Sequence, residues 1–366
     1  MSKKLTVHYE GKPAYNILIE QNYDKLAQQF EELGYAGRRI CIVTDSNVGA
    51  AHAQTVLDAL SEVSSQVYLF TFPAGEQNKN LDTVRKLYTF LIEHRFDRKD
   101  VLAALGGGVT GDLTGFTAAT YLRGIDFVQL PTSVLAMVDS SIGGKTGVDF
   151  DCYKNMVGAF HQPKLVYMNM STINTLDLKQ YYAGYGEILK HGLIKDIDYY
   201  VWLLEHMAEI FTHEPDVLEE VIYRSCQIKQ AVVEKDPTEK GERALLNFGH
   251  TLGHAIEKLM NFELLHGECV ALGMVAAAHI SWKRGYIEQD EFLELRDMMV
   301  AFRLPISVEG VQIEDIIAAT KLDKKMDGNQ IRFILLKEMG HAVIDTTVTE
   351  DEMREALEYL TQELPD

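Results

Sequence analysis

Residues 100–112, DVLAALGGGVTGD, decide how the first half of the chain folds. An apolar run of the kind found in buried β-strands passes directly into three glycines, which end the strand in a tight turn. Similar strand-like runs flank it at 38–45, 66–76 and 126–133, and helical patterns separate them at 50–60 and 80–94. Because strand, glycine turn and helix alternate, the sequence predicts a parallel sheet covered by helices.

The second half of the chain has a different character. Its periodicity is mostly helical, with long amphipathic patterns at 178–194, 215–235 and 350–360 and one short β-like segment at 331–340. A length of 366 residues also favours two domains over one core. We therefore predict an α/β domain at 1–180 and a mainly helical, all-α domain at 181–366.

The composition limits the classes of function. A net charge of -19 argues against nucleic-acid partners and anionic membranes, and an anionic substrate would need a local cluster of cations. The four cysteines show no paired spacing, which indicates reduced thiols, and the start of the chain has no apolar run typical of a signal peptide. The longest apolar run, at 269–282, suits a buried helix better than a membrane span. We expect a cytoplasmic protein.

The glycines after the 101–105 strand are a candidate phosphate site. Gly106, Gly108 and Gly111 match Gly-x-Gly-x-x-Gly, in which backbone amides at a helix start approach a pyrophosphate. A plain glycine turn is the alternative, because the acidic residue expected about 20 positions later is not evident. In PAGEQNK, at 73–79, Glu76 and Lys79 could touch a ribose or be solvated loop charges.

Cations cluster in the middle of the chain. The segment at 138–160, VDSSIGGKTGVDFDCYKNMVGAF, carries Asp139, Lys145, Lys154 and Asn155 together with the glycine pair at 143–144. Each lysine alone is more often a surface charge than a ligand. Further cations that could join them into an anion-binding pocket are Arg123, Lys190, Lys229 and Arg243.

Histidines and glutamates suggest a metal. His250 and His254, four residues apart, would share one face of a helix, although the Glu that follows the first His in zinc proteases is Thr251 here. Two histidines at this spacing are more often packing residues than ligands. His266, 16 residues beyond His250, favours the interpretation as a metal site. The remaining candidate ligands are Glu187, His191 and Glu268.

Six motifs, in order, resemble those of the 3-dehydroquinate synthase family, and the resemblance covers nearly the whole chain. They are GGGVTGDLTGFTAATYLRG (106–124), PTSVLAMVDSSIGGKTGVDF (131–150), KNMVGAFHQP (154–163), GEILKHGLI (186–194), ERALLNFGHTLGHAIE (242–257) and LHGECVALGM (265–274). The resemblance implies an N-terminal Rossmann-like NAD-binding domain, a C-terminal helical metal-binding domain and an active site in the cleft between them. It also implies a homodimer.

The resemblance assigns roles to residues. It implies a divalent metal, zinc or cobalt, held by Glu187, His250 and His266, with His254 kept for the substrate. It implies an NAD site built from Asp45, Ala74, Gly75, Glu76, Gln77, Asn78, Lys79, Gly107, Gly108, Val109, Thr110, Gly111, Asp112, Thr132, Ser133, Lys145, Lys154, Thr172, Ile173, Asn174 and Thr175. It implies a substrate site built from Arg123, Asp139, Lys145, Asn155, Lys190, Lys229, Arg243, Asn247 and His254, with either Lys324 or Lys325.

The implied reaction converts 3-deoxy-D-arabino-heptulosonate 7-phosphate to 3-dehydroquinate and phosphate. NAD oxidises C5, which makes the C6 proton acidic, phosphate leaves, the hydride returns, and the opened ring closes by an aldol step. A metal would polarise the developing carbonyl. The alternatives are another NAD- and metal-dependent sugar-phosphate cyclase, a metal-dependent glycerol or alcohol dehydrogenase, and a binding protein without catalysis.

The chain departs from the family pattern at several positions. Ser133 replaces a common Thr, and Gly186 stands where Ala is usual. Pro237 replaces a common acid, and DFDCYKN at 149–155 differs from the more familiar loop before Lys154. None of these changes removes an implied metal ligand.

Overall fold

The computed structural model describes residues 3–151, 153–261, 263–326 and 331–362, with the side chains of 322–326 outside that description. The chain forms two compact units. The first comprises Met1–Asp177 and Leu218–Thr238, and the second Leu178–Val217 and Glu239–Asp366. A single boundary at 180 was predicted, whereas residues 218–238, beyond that boundary, belong to the first unit.

Strands are concentrated in the first unit. They are Lys3–Tyr9 (β1), Lys12–Glu20 (β2), Ile40–Asp45 (β3), Val67–Phe72 (β4), Val101–Gly106 (β5), Asp126–Pro131 (β6), Lys145–Phe150 (β7), Tyr153–Phe160 (β8) and Leu165–Asn169 (β9). The second unit contributes Phe333–Glu338 (β10) and His341–Asp345 (β11). Seven strands form one sheet in the order β1-β2-β9-β6-β5-β3-β4, whereas β7 pairs with β8 and β10 with β11.

Most of the remaining described residues form helices. They are Leu26–Glu32 (α1), Ser46–Ser61 (α2), Leu81–Glu93 (α3), Gly108–Thr120 (α4), Leu178–Lys195 (α5), Ile197–Glu205 (α6), Met207–Phe211 (α7), Pro215–Lys235 (α8), His250–Leu259 (α9), His266–Lys283 (α10), Gln289–Ala301 (α11), Ile313–Met326 (α12) and Glu350–Thr361 (α13). The predicted strands, helices and fold class are confirmed. The apolar run at 269–282 lies in α10, and none of the described helices is long and apolar enough to cross a membrane.

The large sheet is parallel except where β1 joins β2. Every residue of β5 is buried, and alternate side chains enter opposite cores. Val101, Ala103 and Leu105 pack in the core that includes α1 and α2, whereas Leu102 packs in the core that includes α3 and α4. A strand covered on both faces must be apolar at every position, which explains why 101–105 carries no polar residue.

The strand order fixes where this unit can bind a ligand. From β3 the chain passes to its outer neighbour β4, whereas from β5 it passes to β6 on the other side. The carboxyl ends of β3 and β5 therefore flank a topological switch point, the usual ligand crevice of an open α/β sheet. We call the loops at the carboxyl ends of the parallel strands the switch-point edge.

Close helix contacts organise the second unit. Helix α10 packs against α5, α9, α11 and α13. A Cβ built on Gly267 would lie 1.8 Å from the carbonyl oxygen of Ala183 in α5, and one on Gly273 would lie 1.7 Å from that of Gly249 before α9. Glycine is therefore required for these backbones to approach so closely. The substitution of Gly186 for the usual Ala falls in the same contact, where a Cβ would lie 2.4 Å from the Gly267 oxygen.

Candidate functional site

Three side chains of the second unit converge on one point. Glu187 comes from the middle of α5, and His250 and His266 are the first residues of α9 and α10. Each imidazole Nε2 lies 3.7 Å from Glu187 Oε1. Two ligands at about 2.1 Å from one tetrahedral zinc are about 3.4 Å apart, so this spacing suits a shared ion.

The interior of this cluster provides the test of whether a metal fits. Glu187 is fully buried, and its Oε1 accepts no hydrogen bond from the part of the chain that the structure describes. A buried carboxylate oxygen that faces two imidazole nitrogens is an arrangement that a divalent cation satisfies. The donor set of two nitrogens and one oxygen is also that of a catalytic zinc, with one position left for substrate.

Lys190 carries the positive charge that pairs with Glu187. It lies one turn along α5, is 1% exposed, and donates a short hydrogen bond from Nζ to Glu187 Oε2. Burial raises the pKa of Glu187, but the charge of Lys190 and the contacts with His266 and His250 outweigh it and hold this pKa well below its usual value. Glu187 is therefore an anion ready to bind a cation.

The two histidines predicted as ligands, His250 and His266, have a neighbour at their other ring nitrogen. His250 Nδ1 lies 3.2 Å from the carbonyl oxygen of Phe248, and His266 Nδ1 lies 3.6 Å from Glu257 Oε2. Burial, followed by the charge of Lys190, lowers the pKa of His250 well below its usual value, so this imidazole is neutral. Burial also acts to lower the pKa of His266, but Glu187 and Glu257 outweigh it and raise that pKa to about 9.

His254 lies beside these two histidines. Its ring centroid is 5.0 Å from that of His250 and 5.7 Å from that of His266, and the nitrogens of the three rings lie within 4.8 Å of one another. The side chain is exposed, unlike Glu187. Distance alone does not distinguish His254 from the predicted ligands His250 and His266. Its exposure is compatible with the substrate role predicted for it.

Other residues predicted from sequence have structural partners in this unit. Glu268 Oε2 accepts a hydrogen bond of 2.6 Å from the backbone of Leu265 and caps the start of α10, which positions His266. Arg243 is 2% exposed and lies in a 3₁₀ turn, and Asn247 in the same turn donates to Glu239 at 2.9 Å. His191 is buried on α5. The side chains of Lys324 and Lys325 lie outside the described residues.

The predicted nucleotide residues lie at the switch-point edge of the first unit. Gly107 is the N-cap of α4, so the free amides at the start of α4 follow β5 directly, as an anion site requires. A Cβ on Gly108 would lie 3.1 Å from Ser140 Oγ, which leaves little room for a side chain, whereas one on Gly107 would make an ordinary contact of 3.4 Å with Ser133 Oγ. Asp45, at the end of β3, caps α2 through the amides of residues 47 and 48.

The remaining predicted nucleotide residues follow the neighbouring strands. Residues 74–79 follow β4, Val109–Asp112 lie in the first turns of α4, Thr132 follows β6, and Thr172–Thr175 form a 3₁₀ turn after β9. Sequence reasoning missed His52, whose Nε2 lies 2.7 Å from Thr175 Oγ1. The structure therefore brings these residues to one edge of the sheet, whereas Lys145 and Lys154 of the predicted set belong to the β7–β8 hairpin.

Lys79 is a buried centre of this edge. It is 4% exposed, and Nζ donates to Asp112 Oδ2 and to Asn155 Oδ1, each at 2.6 Å. Lys154 pairs with Glu76 at 3.5 Å. The β7–β8 hairpin, which carries Lys154 and Asn155, is therefore tied to the loop after β4. These contacts favour a positioned Lys79 over the solvated loop charge that the sequence left open.

The other residues predicted for substrate in the first unit occupy three places. Lys229 on α8 donates to the carbonyl oxygen of Asp139 at 2.6 Å and makes a short contact with its carboxylate. Lys145 is exposed at the start of β7. Arg123 lies beyond the C-terminal end of α4, and that helix is about 20 Å long, so the structure places Arg123 far from the glycines at its start.

Comparison with known proteins adds independent findings. Residues 69–183 match the family model for the 3-dehydroquinate synthase N-terminal region, and residues 184–326 match the model for its C-terminal region. The chain is 43% identical over 350 residues to the 3-dehydroquinate synthase of Acetivibrio thermocellus, covering 96% of this chain and 97% of that one. It is 45% identical over 326 residues to that of Symbiobacterium thermophilum, covering 88% and 91%. Among solved structures, 2-epi-5-epi-valiolone synthase from Streptomyces hygroscopicus, with NAD⁺ and Zn²⁺ bound, superposes with a TM-score of 0.88 at 26% identity over 97% of this chain and 99% of that one.

Proposed function

The chain belongs to the 3-dehydroquinate synthase family, and on that premise we propose that it is a carbon–oxygen lyase that converts 3-deoxy-D-arabino-heptulosonate 7-phosphate to 3-dehydroquinate and phosphate. The observation that carries the proposal is the convergence of Glu187, His250 and His266, with both Nε2 atoms 3.7 Å from one buried carboxylate oxygen. NAD and a divalent ion, zinc or cobalt, are the cofactors, and the chain acts as a homodimer.

Glu187, His250 and His266 would hold the metal. When bound, the ion would act as a Lewis acid on the substrate's hydroxyl oxygens. Lys190 would still contact Glu187 when the ion is bound, so its ammonium would lie close to the metal. Arg243 and Lys190 are almost fully buried, and buried cations in an acidic protein suit the carboxylate and phosphate of this substrate.

The switch-point edge would hold NAD. The amides at the start of α4 would bind the pyrophosphate, and the absence of a side chain at Gly107 and Gly108 would allow its close approach. Lys79, fixed by Asp112 and Asn155, is a buried cation within the loop predicted to contact the ribose. The nucleotide would carry the hydride out and back, and these residues would fix its position.

An assay of released phosphate tests the proposal. The purified protein is incubated with the heptulosonate phosphate, NAD and zinc, and phosphate and product are measured together with absorbance of reduced nicotinamide. We expect phosphate release that depends on NAD without net accumulation of NADH. Stoichiometric NADH would instead indicate a dehydrogenase, and no phosphate release under any metal condition would contradict the proposal.

A related sugar-phosphate cyclase is the second candidate. The likeness to 2-epi-5-epi-valiolone synthase, at 26% identity, favours it as the alternative, although the identities of 43% and 45% to 3-dehydroquinate synthases are much higher. The buried Arg243 suits a carboxylated substrate. Product analysis after incubation with sedoheptulose 7-phosphate, which lacks the carboxylate, separates the two candidates.

A further inference from the structure

The helix that carries His250 presents three polar side chains on one face. His250, His254 and Glu257 follow each other at helical spacings of four and three residues, and all belong to α9. His250 would hold the metal in the proposed function, and His254 is predicted to contact the substrate. Glu257 has no role there, although it is 2% exposed and faces the second ligand histidine across the contact between α9 and α10.

The position of Glu257 relative to the His266 ring determines whether it can coordinate the metal. Its Oε2 lies 3.6 Å from Nδ1 of His266, whereas Nε2 of the same ring lies 3.7 Å from Glu187 Oε1. The two carboxylates therefore lie against opposite nitrogens of one imidazole. A fourth metal ligand would have to approach from the Nε2 side, so this geometry excludes Glu257 from direct coordination of an ion held there.

We propose that Glu257 is a positioning residue that fixes the His266 imidazole with its proton on Nδ1 and its lone pair on Nε2, directed at the metal. The inference rests on the proposed metal site. An imidazole can bind a metal through either nitrogen, and the hydrogen bond made by one nitrogen selects the other as the ligand. His266 opens a helix and is partly exposed, so its ring needs a partner to hold one orientation.

His250 offers a comparison within the same site. Its Nδ1 faces the backbone carbonyl of Phe248 at 3.2 Å, which selects Nε2 in the same way. The site thus uses a fixed backbone acceptor for one histidine and a side-chain acceptor for the other. A carboxylate also adds negative charge beside the ring, which increases its basicity as a ligand. Only the side-chain acceptor can be changed by substitution.

Zinc affinity of Glu257→Gln tests the proposal. The full-length protein is stripped of metal, and zinc is titrated in competition with a chromophoric chelator at neutral pH. We expect the dissociation constant for zinc to rise about 10- to 100-fold, since loss of such a partner has this effect in other sites. The matched control is Glu219→Gln, a carboxylate that is 4% exposed and lies in the other unit. Its zinc affinity should stay within about twofold of wild type.

A spectroscopic measurement distinguishes positioning from a general effect on packing. With cobalt in place of zinc, Glu257→Gln should change the wavelength and intensity of the visible absorption bands, because the His266 ring turns, while Glu219→Gln should not. Zinc affinity and cobalt spectrum both unchanged in Glu257→Gln would overturn the proposal. Two other results would instead contradict the proposed function itself: a wild-type protein that binds no zinc, or a His250→Ala variant that still binds it.

A measurement on the wild-type protein covers the case in which Glu257→Gln does not fold. Histidine is labelled with ¹⁵N, and long-range ¹H–¹⁵N correlations are recorded for the zinc-loaded protein, with the His266 signals assigned from His266→Gln. We expect His266 in the tautomer that is protonated on Nδ1, with slow exchange of that proton. The opposite tautomer would refute the role of Glu257 without any variant at that position.

Discussion

Lys190→Met should destabilise the metal-free protein far more than the zinc-loaded one. Lys190 and Glu187 are 1% and 0% exposed, and their contact is the short hydrogen bond on α5. Methionine keeps most of the apolar stem but removes the ammonium. Glu187 would then be a buried anion that lacks its lysine partner in the absence of metal.

Two routes give the size of the effect. Breaking a buried ion pair by removing one partner costs about 3–5 kcal/mol. Glu187 can instead take up a proton, and protonating a carboxyl with an ordinary pKa of 4.5 at pH 7 costs about 3.4 kcal/mol. We therefore expect the free energy of unfolding to fall by about 3–4 kcal/mol without metal. Bound zinc would compensate Glu187 directly, so with excess zinc the loss should fall below about 1.5 kcal/mol.

Urea unfolding followed by tryptophan fluorescence measures this difference. The two tryptophans of the chain, Trp202 and Trp282, both belong to the second unit, so their emission reports the unit that holds Glu187. The matched control is Lys195→Met, whose lysine pairs with Glu242 at 2.5 Å but is 28% exposed, and which should cost less than about 1 kcal/mol. If metal-free Lys190→Met is as stable as wild type, or if zinc leaves the gap unchanged, the assignment of Lys190 as the partner of Glu187 is wrong.

Three further results are expected. His250→Ala should lose bound metal and turnover together, whereas His254→Ala should keep close to one metal per chain by mass spectrometry while its turnover falls; the reverse pattern would exchange their roles. Gly267→Ala should force α10 away from α5 and lower both the free energy of unfolding, by about 1–3 kcal/mol, and zinc affinity, because a Cβ there meets a backbone oxygen at 1.8 Å; unchanged urea midpoints would refute the close contact. Arg284 lowers the pKa of Glu352 to about 2, so Glu352→Gln should cost about 1–2 kcal/mol above pH 4.5, and this gap should vanish as pH falls toward 2; a gap that grows with acid would contradict the pair.

The sequence predicted the elements that local patterns encode. The β5 strand is apolar at every position because both faces are covered, and α3 and α13 carry clear amphipathic repeats, so their periodicity predicts them. The β1–β2 and β7–β8 hairpins were not predicted. Their strands mix charged and apolar residues, and β8 is exposed along most of its length, so no strong alternation marks it.

The partners of the site residues could not be read from the sequence, because they depend on contacts between distant segments. The spacing of His250 and His254 placed both on one face but could not show that Glu187 lies opposite His250. Glu268 was a plausible ligand by type, yet its carboxylate caps α10. The likeness to a family implied the metal ligands as a set, and the distances between the three side chains in the structure suit a shared ion.

The charge of the whole chain does not give the charge of its sites. A net charge of -19 disfavours an anionic substrate, and the sequence analysis therefore predicted a local cluster of lysines and arginines. In the structure two of these lysines each contact a carboxylate, Lys190 with Glu187 and Lys229 with Asp139, and so does Lys79 of the nucleotide loop, with Asp112. These lysines are held in place by their acidic partners and are not an excess of positive charge. A metal ion bound at Glu187 Oε1 would partly neutralise the carboxylate and weaken its attraction on Lys190, which contacts Oε2. The lysine ammonium would then be more available to an anion, so the affinity of this centre for anions depends on how its charges are paired and not only on their sum.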